Sequence, residues 1–177
     1  MTNLDCIRAV LREHRIFYEE YEHPAVHTMR ECLSLPFLDL ETMYCKNVVL
    51  CNRQQTDFYL MLLQPDTAFR TAVVSKLLGV SRLSFAPADA LPGLLMVQSG
   101  AVSPLGLFFD KDRKVKLCYE RALRLCRKYA VHPCDNTRTM IFAHDAFWNR
   151  LLPLLCHQPI ELELAEMDGV SPGHSIL

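Results

Sequence analysis

The sequence lacks the features that would assign it to a common class at once. Its formal net charge is −1 and its pI is near 6.6, so bulk positive charge cannot coat a nucleic acid, and any RNA contact must be local. It has no run of 18 apolar residues, and the stretch Met1–Cys6 lacks a cationic segment leading into an apolar one. We therefore expect no membrane span and a cytoplasmic protein.

The eight cysteines form no Cys-x-x-Cys pair. Without that spacing and without a secretory leader, we predict reduced and mostly buried thiols rather than disulfides. His23 and His27 are four residues apart, but Pro24 lies between them and no Glu-x-x-His pattern follows. This spacing argues against a zinc site, and we predict neither a metal nor a cofactor.

No internal repeat or low-complexity block interrupts the chain. With 177 residues, 50% hydrophobic and 22% charged, it can bury one sizeable core. We predict a single domain over residues 1–165 and a loose tail over residues 166–177.

Helices are predicted where capping residues precede apolar residues at helical spacing. Thr2 to Asp5 and Thr28 to Glu31 both have the form of a capping box. Gly79 is a suitable residue to end a helix over 71–78. Further helices are predicted at about 87–91, 120–129 and 145–155.

Strands are predicted where apolar, β-prone residues run between turn residues. The runs 46–51 and 57–63 are joined by a polar stretch and predict a central hairpin, and 107–109 with 115–118 predict a second hairpin. Further strands are expected at 15–22, 82–86, 137–142 and 161–164. Strands with short interspersed helices indicate an α+β fold with a mixed sheet that curls around the core.

The segment from Gln98 to Gly106 contains two glycines, a proline and no charge. Glycine allows close approach to the backbone, and proline removes one N–H donor, so the remaining N–H groups can point in one direction. Such a loop can bind an oxygen that carries negative charge. A tight turn between core elements is the alternative.

Four motifs in a fixed order extend this interpretation. They are Tyr21-Glu22-His23-Pro24-Ala25-Val26, Lys46-Asn47, Gly100-x-x-x-Pro104 and His132-Pro133-Cys134-Asp135-Asn136-Thr137. Together they resemble the trans-editing deacylases related to the insertion domain of bacterial prolyl-tRNA synthetase, over about residues 15 to 155. The resemblance implies a partly open barrel and hydrolysis of mischarged tRNA(Pro), alanyl-tRNA(Pro) first, by direct attack of water with help from the terminal ribose hydroxyl. The acceptor end of tRNA(Pro) is the implied partner, and prolyl-tRNA synthetase is a further candidate.

The resemblance also implies site residues. Lys46 matches a lysine of the editing cleft and would hold the acyl-adenosine end of the substrate as a positioning cation. The loop backbone would stabilise the oxyanion, and His132 would be catalytic, orient the substrate, or be merely structural. The catalytic candidates are Lys46, Gly100, Ala101, Val102, Ser103 and His132. The substrate-binding candidates are Pro24, Val26, His27, Thr28, Asn47, Pro104, Gly106, Asp135 and Asn136.

Between Asp110 and Lys128 there are eight Lys or Arg against three Asp or Glu. On the predicted 120–129 helix, Arg121, Arg124 and Lys128 share one face, and we predict that this face contacts the tRNA acceptor stem; a solvated helix face is the alternative.

Three points stay open at this stage. The family often has an aromatic residue where His27 stands, so the acyl group could be alanyl, cysteinyl, seryl or threonyl. A cysteine hydrolase that uses Cys134 beside His132 is disfavoured, because side chains two residues apart would have to converge from an extended segment. A binding module without catalysis, associated with tRNA or a synthetase, is the remaining alternative.

Overall fold

The computed structural model describes residues 2–68 and 70–164. Its helices are α1 (Asn3–Glu13), α2 (Met29–Leu33), α3 (Thr71–Leu78), α4 (Leu91–Leu95) and α5 (Leu152–Leu154). A π-helical segment (Ala146–Leu151) leads directly into α5, and short 3-10 helices cover Ala88–Ala90, Pro104–Phe109 and Arg121–Leu125. Among these residues no helix is long and apolar enough to cross a membrane.

Nine strands occur in the described part of the chain: β1 (Glu19–Glu22), β2 (Thr42–Tyr44), β3 (Lys46–Cys51), β4 (Phe58–Leu63), β5 (Ser84–Phe85), β6 (Val115–Glu120), β7 (Lys128–Val131), β8 (Arg138–Ala143) and β9 (Ile160–Leu162). They form a sheet in the order β1-β8-β7-β2 and a second in the order β5-β3-β4-β6-β9. Both sheets mix parallel and antiparallel pairs, because β2 is parallel to β7 and β6 is parallel to β4 and β9. The α+β class is confirmed, whereas closure into a barrel is not.

The largest core lies between the two sheets. It joins Val131 and Phe142 of the first sheet to Leu60 and Leu117 of the second, and Leu11 of α1 packs against it. Both faces of β4 are buried: Leu60 and its alternate neighbours face this core, while Met61 faces a second core under α3. The predicted hairpin of central strands is therefore confirmed as β3–β4.

Two predicted helix starts are confirmed by their hydrogen bonds. The Thr2 and Thr28 hydroxyl groups accept from the N–H groups of Asp5 and Glu31, and both acidic side chains accept from the capping residue in return. Gly79 ends α3 in the left-handed region, with φ of 66°.

The predicted helix over 120–129 is wrong. Residues up to Glu120 extend β6, which pairs with β4 and β9, and Lys128 begins β7, which pairs with β2 and β8. Only the 3-10 helix Arg121–Leu125 remains, and Leu125 is 87% exposed although the helical pattern placed it on the packed face. Strand pairing on both sides outweighs a helical pattern that only four residues define.

The second predicted hairpin is also wrong. Ser103 caps a 3-10 helix that begins at Pro104, so residues 107–109 are helical, and β6 pairs in parallel with β4 instead. No strand was predicted at β2. The predicted tail over 166–177 lies outside the described residues.

Candidate active site

A cleft of about 400 Å³ opens where the end of β2, the start of β3 and the loop before the 3-10 helix Pro104–Phe109 meet. It brings together residues from three of the four motifs, which are far apart in the sequence. The predicted site residues that line it are His27, Thr28, Lys46, Asn47, Gly100, Val102 and His132.

Lys46 is the first residue of β3 and is half-buried. Its Nζ donates a hydrogen bond to the Thr67 carbonyl oxygen at 2.9 Å. The Thr67 hydroxyl donates in turn to Glu120 at 2.6 Å, and the same carboxylate oxygen accepts the Gln64 N–H at 2.9 Å. The buried Glu120 therefore fixes the segment that holds the ammonium group at the cleft.

Asn47 presents an amide group to the cleft. Its Nδ2 donates to the Cys45 carbonyl at 3.1 Å, while its Oδ1 is buried without a hydrogen-bond partner among the described residues. Because an unpaired buried acceptor is costly, this oxygen is suited to receive an N–H or O–H group of a ligand.

The loop that the sequence singled out forms one wall of the cleft through Ser99, Gly100 and Val102. Gly100 has φ of 88°, which favours glycine. The Ala101 N–H is used internally, on the Gln98 carbonyl at 3.1 Å. Among the described residues the N–H groups of Ser99, Gly100 and Val102 donate no hydrogen bond, so they are candidate donors for an oxyanion, and two of them, Gly100 and Val102, belong to the predicted motif.

The remaining loop candidates lie behind this wall. Ser103 is fully buried, and its Oγ accepts the Leu105 N–H at 3.2 Å, which caps the 3-10 helix. Gly106 packs against Leu95, where an added Cβ would come within 3.0 Å of the Leu95 carbonyl oxygen. The predicted site residues of this loop that do not line the cleft are Ala101, Ser103, Pro104 and Gly106.

His132 follows β7 and is only 5% exposed at the cleft. Its Nδ1 lies 2.9 Å from the Arg138 carbonyl oxygen and 3.1 Å from the Tyr44 hydroxyl. Burial lowers the pKa of this imidazole, which favours the neutral ring.

The first motif is held in place by Asn136. The Asn136 Nδ2 donates to the Val26 carbonyl at 3.0 Å, and the Val26 N–H donates to the Asn136 carbonyl at 3.1 Å. Asp135 accepts the Thr137 N–H and hydroxyl in a local turn. Pro24, Val26, Asp135 and Asn136 do not line the cleft, and the pairing of Val26 with Asn136 anchors the segment that continues into His27 and Thr28.

Several lining residues were not predicted. Cys32, Tyr44 and Phe85 are examples, and they come from α2, β2 and β5. Tyr44 lies in a connection without a clear strand pattern, and only the parallel pairing of β2 with β7 places it beside His132. The one local signal was the Thr28 capping box, which fixes the start of α2 and hence the position of Cys32.

The residues predicted to bind tRNA are present without the helix that was expected to carry them. Arg121 forms ion pairs with Glu161 and Glu163, and Lys128 pairs with Asp39. The Arg124 guanidinium stacks 4.5 Å from the centre of the Trp148 ring. Binding of tRNA by these residues stays a prediction.

All eight cysteines are free, and four of them are buried. Cys134 packs against the main core and does not line the cleft, and burial raises the pKa of its thiol to about 12. A thiol that stays protonated at neutral pH is a poor nucleophile. In the described residues no group of three His, Cys, Asp or Glu side chains could hold a metal ion.

Replacing Cys134 with serine should therefore keep most of the hydrolytic rate, because no step uses the thiol. The rate constant for hydrolysis of aminoacyl-tRNA checks this, with the melting temperature as control for the fold. A loss of about a thousandfold in a folded variant would instead indicate the thiol mechanism.

Comparison with known proteins shows the family of the chain. Residues 23–147 match the model of the aminoacyl-tRNA editing domain family. The chain is 31% identical over 141 residues to the prolyl-tRNA editing protein ProX of Acetoanaerobium sticklandii, covering 77% of this chain and 83% of that protein. It is 31% identical over 122 residues to prolyl-tRNA synthetase associated domain-containing protein 1 of Danio rerio, covering 67% and 65%.

A solved structure shares the fold. The crystal structure of a proposed trans-editing enzyme for prolyl-tRNA synthetase superposes with a TM-score of 0.69 at 16% identity, over 92% of this chain and 98% of that one. The family match spans three of the four motifs in full, the first from His23 onwards, and all the residues that line the cleft. The chain therefore belongs to the aminoacyl-tRNA editing domain family and is an aminoacyl-tRNA deacylase.

Proposed function

We propose that this deacylase hydrolyses the ester bond of mischarged tRNA(Pro) as a free-standing editing factor, with alanyl-tRNA(Pro) as its preferred substrate. The observation that carries the proposal is the convergence of Lys46, Asn47, His132 and the backbone of Gly100 and Val102 on one cleft. Such groups suit an aminoacyl ester, which presents a cationic amino group, a polarised carbonyl and a ribose.

The reaction adds water across the ester. A water oxygen bonds to the carbonyl carbon and loses a proton, and the carbonyl oxygen gains negative charge. Collapse of this intermediate breaks the bond to the terminal ribose oxygen, which takes up a proton as the free amino acid leaves. In the proposal the neighbouring ribose hydroxyl assists the attacking water, so no protein nucleophile is required.

The residues of the cleft have separate roles in this scheme. The Gly100 and Val102 N–H groups stabilise the oxyanion and, being fixed beforehand, need no reorganisation as charge develops. Lys46, held at Thr67, positions the acyl-adenosine end through its charge. Asn47 Oδ1 and His132 Nε2 are acceptors for donor groups of the substrate.

Preference for a small acyl group is the finer part of the proposal. The cleft volume of about 400 Å³ must also hold part of the terminal adenosine, which leaves little room for the side chain. Because one methylene changes binding by only about 1–3 kcal/mol, cysteinyl and other small esters are the competing substrates. Deacylation rates for a panel of tRNA(Pro) charged with alanine, cysteine, serine, threonine or proline test this, and a fastest rate with any ester other than alanyl would contradict it.

The proposed substrate also indicates a cellular location and a partner protein. We propose a cytoplasmic location, where charged tRNA is used, and contact with prolyl-tRNA synthetase, which releases mischarged tRNA(Pro). Co-migration of the two proteins in size-exclusion chromatography, with and without tRNA, tests the second point.

Reversing Arg121, Arg124 and Lys128 together to glutamate should weaken tRNA binding and flatten its salt dependence, because phosphate contacts release counterions. Filter binding at several salt concentrations measures both quantities. A control with the same charge change at the exposed residues Arg12, Arg15 and Lys76 should bind as the parent does. An unchanged dissociation constant and salt slope in the first variant would refute this contact.

A further inference from the structure

A chain of buried polar side chains lies behind the cleft. Tyr44 and Thr139 are 1% and 0% exposed, and His132 and His23 are 5% and 9% exposed. Their hydrogen bonds lead from His132 through the Tyr44 and Thr139 hydroxyl groups to His23. Of these four residues only His132 and Tyr44 line the cleft.

At each end of this series of hydrogen bonds, a backbone carbonyl fixes the tautomer of a histidine. His132 Nδ1 lies 2.9 Å from the Arg138 carbonyl oxygen, and His23 Nδ1 lies 2.9 Å from the Pro24 carbonyl oxygen. A carbonyl oxygen can only accept, so Nδ1 carries the proton in both rings. Neither ring has a carboxylate as a hydrogen-bond partner among the described residues, so the hydrogen bonds assign one proton to each Nδ1 and a lone pair to each Nε2.

These tautomers determine the direction in which the Thr139 and Tyr44 hydroxyl groups donate their hydrogen bonds. His23 Nε2 can only accept, so the Thr139 hydroxyl, at 2.9 Å, donates to it. The Thr139 oxygen is then free to accept, and the Tyr44 hydroxyl donates to it at 2.9 Å. The His132 Nδ1–H, which donates to the Arg138 carbonyl, also donates to the Tyr44 oxygen at 3.1 Å. All donors therefore point from His132 towards His23.

This direction leaves the lone pair of His132 Nε2 without a strong donor among the described residues. The Tyr44 oxygen is 3.3 Å from Nε2, but the Tyr44 hydroxyl donates its proton to Thr139 instead. A further hydrogen-bond contact of Nε2 is with the thiol of Cys32, a weak donor at 3.9 Å that also lines the cleft. Nε2 is thus an open acceptor at the cleft wall.

We propose that Tyr44, Thr139 and His23 are positioning residues that keep His132 neutral with its Nε2 lone pair open to an N–H of the substrate's α-ammonium group. A neutral imidazole accepts such a hydrogen bond, whereas a protonated one would repel the ammonium. This inference rests on the proposed function for its substrate, but the tautomer of His132 can be tested without any activity.

The decisive test uses three variants at two positions. Replacing Thr139 with valine removes the acceptor for the Tyr44 proton, which should turn to His132 Nε2 and block it, lowering the deacylation rate about tenfold or more. Thr139→Ser keeps the hydroxyl and should stay within about twofold of the parent. The double variant Tyr44→Phe/Thr139→Val removes the blocking proton as well and should recover most of the lost rate.

If these residues had only a structural role, the double variant would deacylate more slowly than Thr139→Val, because loss of the second hydroxyl would lower the rate further. A double variant slower than Thr139→Val, or a Thr139→Val variant with the parent rate, would overturn the proposal. Melting temperatures of all variants show whether each is folded.

Nitrogen-15 NMR of the histidine rings provides the readout independent of activity. In the parent we expect a protonated-type shift at His132 Nδ1 and an unprotonated-type shift at Nε2. The reverse tautomer, or a doubly protonated ring at neutral pH, would contradict the proposed role of Tyr44, Thr139 and His23 in positioning His132. If the parent failed to hydrolyse any aminoacyl-tRNA while the expected tautomer was found, the proposed function would fail and the positioning of His132 would stand.

Discussion

Replacing Lys46 with alanine should lower deacylation of alanyl-tRNA(Pro) by about two orders of magnitude or more, which corresponds to roughly 3 kcal/mol of lost transition-state stabilisation. The ammonium group lies at the cleft and is held there by the Thr67 carbonyl, so its removal takes away a placed charge. The fold should survive, because the side chain is half-buried at the first position of β3. Single-turnover rates and melting temperatures measure the two effects separately.

Two further lysine variants sharpen this prediction. Lys46→Arg keeps the charge but spreads it over a larger planar group, so it should restore little of the rate. Lys116→Ala is the matched control: Lys116 lies on β6 of the same sheet and pairs with Asp57 at the surface, so its loss should leave the rate unchanged. A Lys46→Ala variant with the parent rate would show that the site is assigned wrongly and would favour the binding module without catalysis.

Replacing Gly100 with valine should abolish turnover. An added Cβ would meet only His27 Nδ1, at 3.9 Å, so the backbone has room for one carbon atom. The cost comes instead from φ of 88°, which a β-branched residue rarely adopts, and from the two methyl groups placed beside the backbone that lines the cleft. Moving that backbone displaces the donors that we assign to the oxyanion.

Gly79 offers a control for the backbone strain alone. It also has positive φ, 66°, and an added Cβ there meets nothing within 4 Å, but it ends α3 and does not line the cleft. Gly79→Val should lose stability by about 1–2 kcal/mol and keep its activity, whereas Gly100→Val should lose activity as well. Comparable turnover in the two variants at a temperature where both are folded would contradict the role of the Gly100 backbone.

The parts of the fold that the sequence predicted correctly depend on neighbouring residues. Thr2 and Thr28 cap their helices through side chains three positions away, and the β3–β4 hairpin follows from two apolar runs with a polar turn between them. The errors occur where distant strands decide the structure. Lys128 and Tyr129 ended the predicted helix but begin β7, which pairs with β2 and β8, and this pairing is visible only in three dimensions.

The same distinction applies to the site, where some residues could be predicted from local sequence and their partners could not. Lys46, Gly100 and His132 were candidates because of motif resemblance, and the structure places all three at one cleft. The hydrogen-bond partners of these residues were not predictable, since Thr67 is 21 positions from Lys46 and Tyr44 is 88 from His132. Sequence spacing does not identify partners so far apart without the sheet order.

The central claim is that the cleft around Lys46 and Gly100 hydrolyses the ester of alanyl-tRNA(Pro). Its most direct test is single-turnover hydrolysis of purified alanyl-tRNA(Pro) with saturating protein, in which release of free alanine is measured for the parent and for Lys46→Ala. We predict rapid release by the parent and a rate lower by about a hundredfold or more for the variant. Alanyl-tRNA(Pro) that binds the parent protein yet loses alanine no faster than it does without protein would contradict the claim.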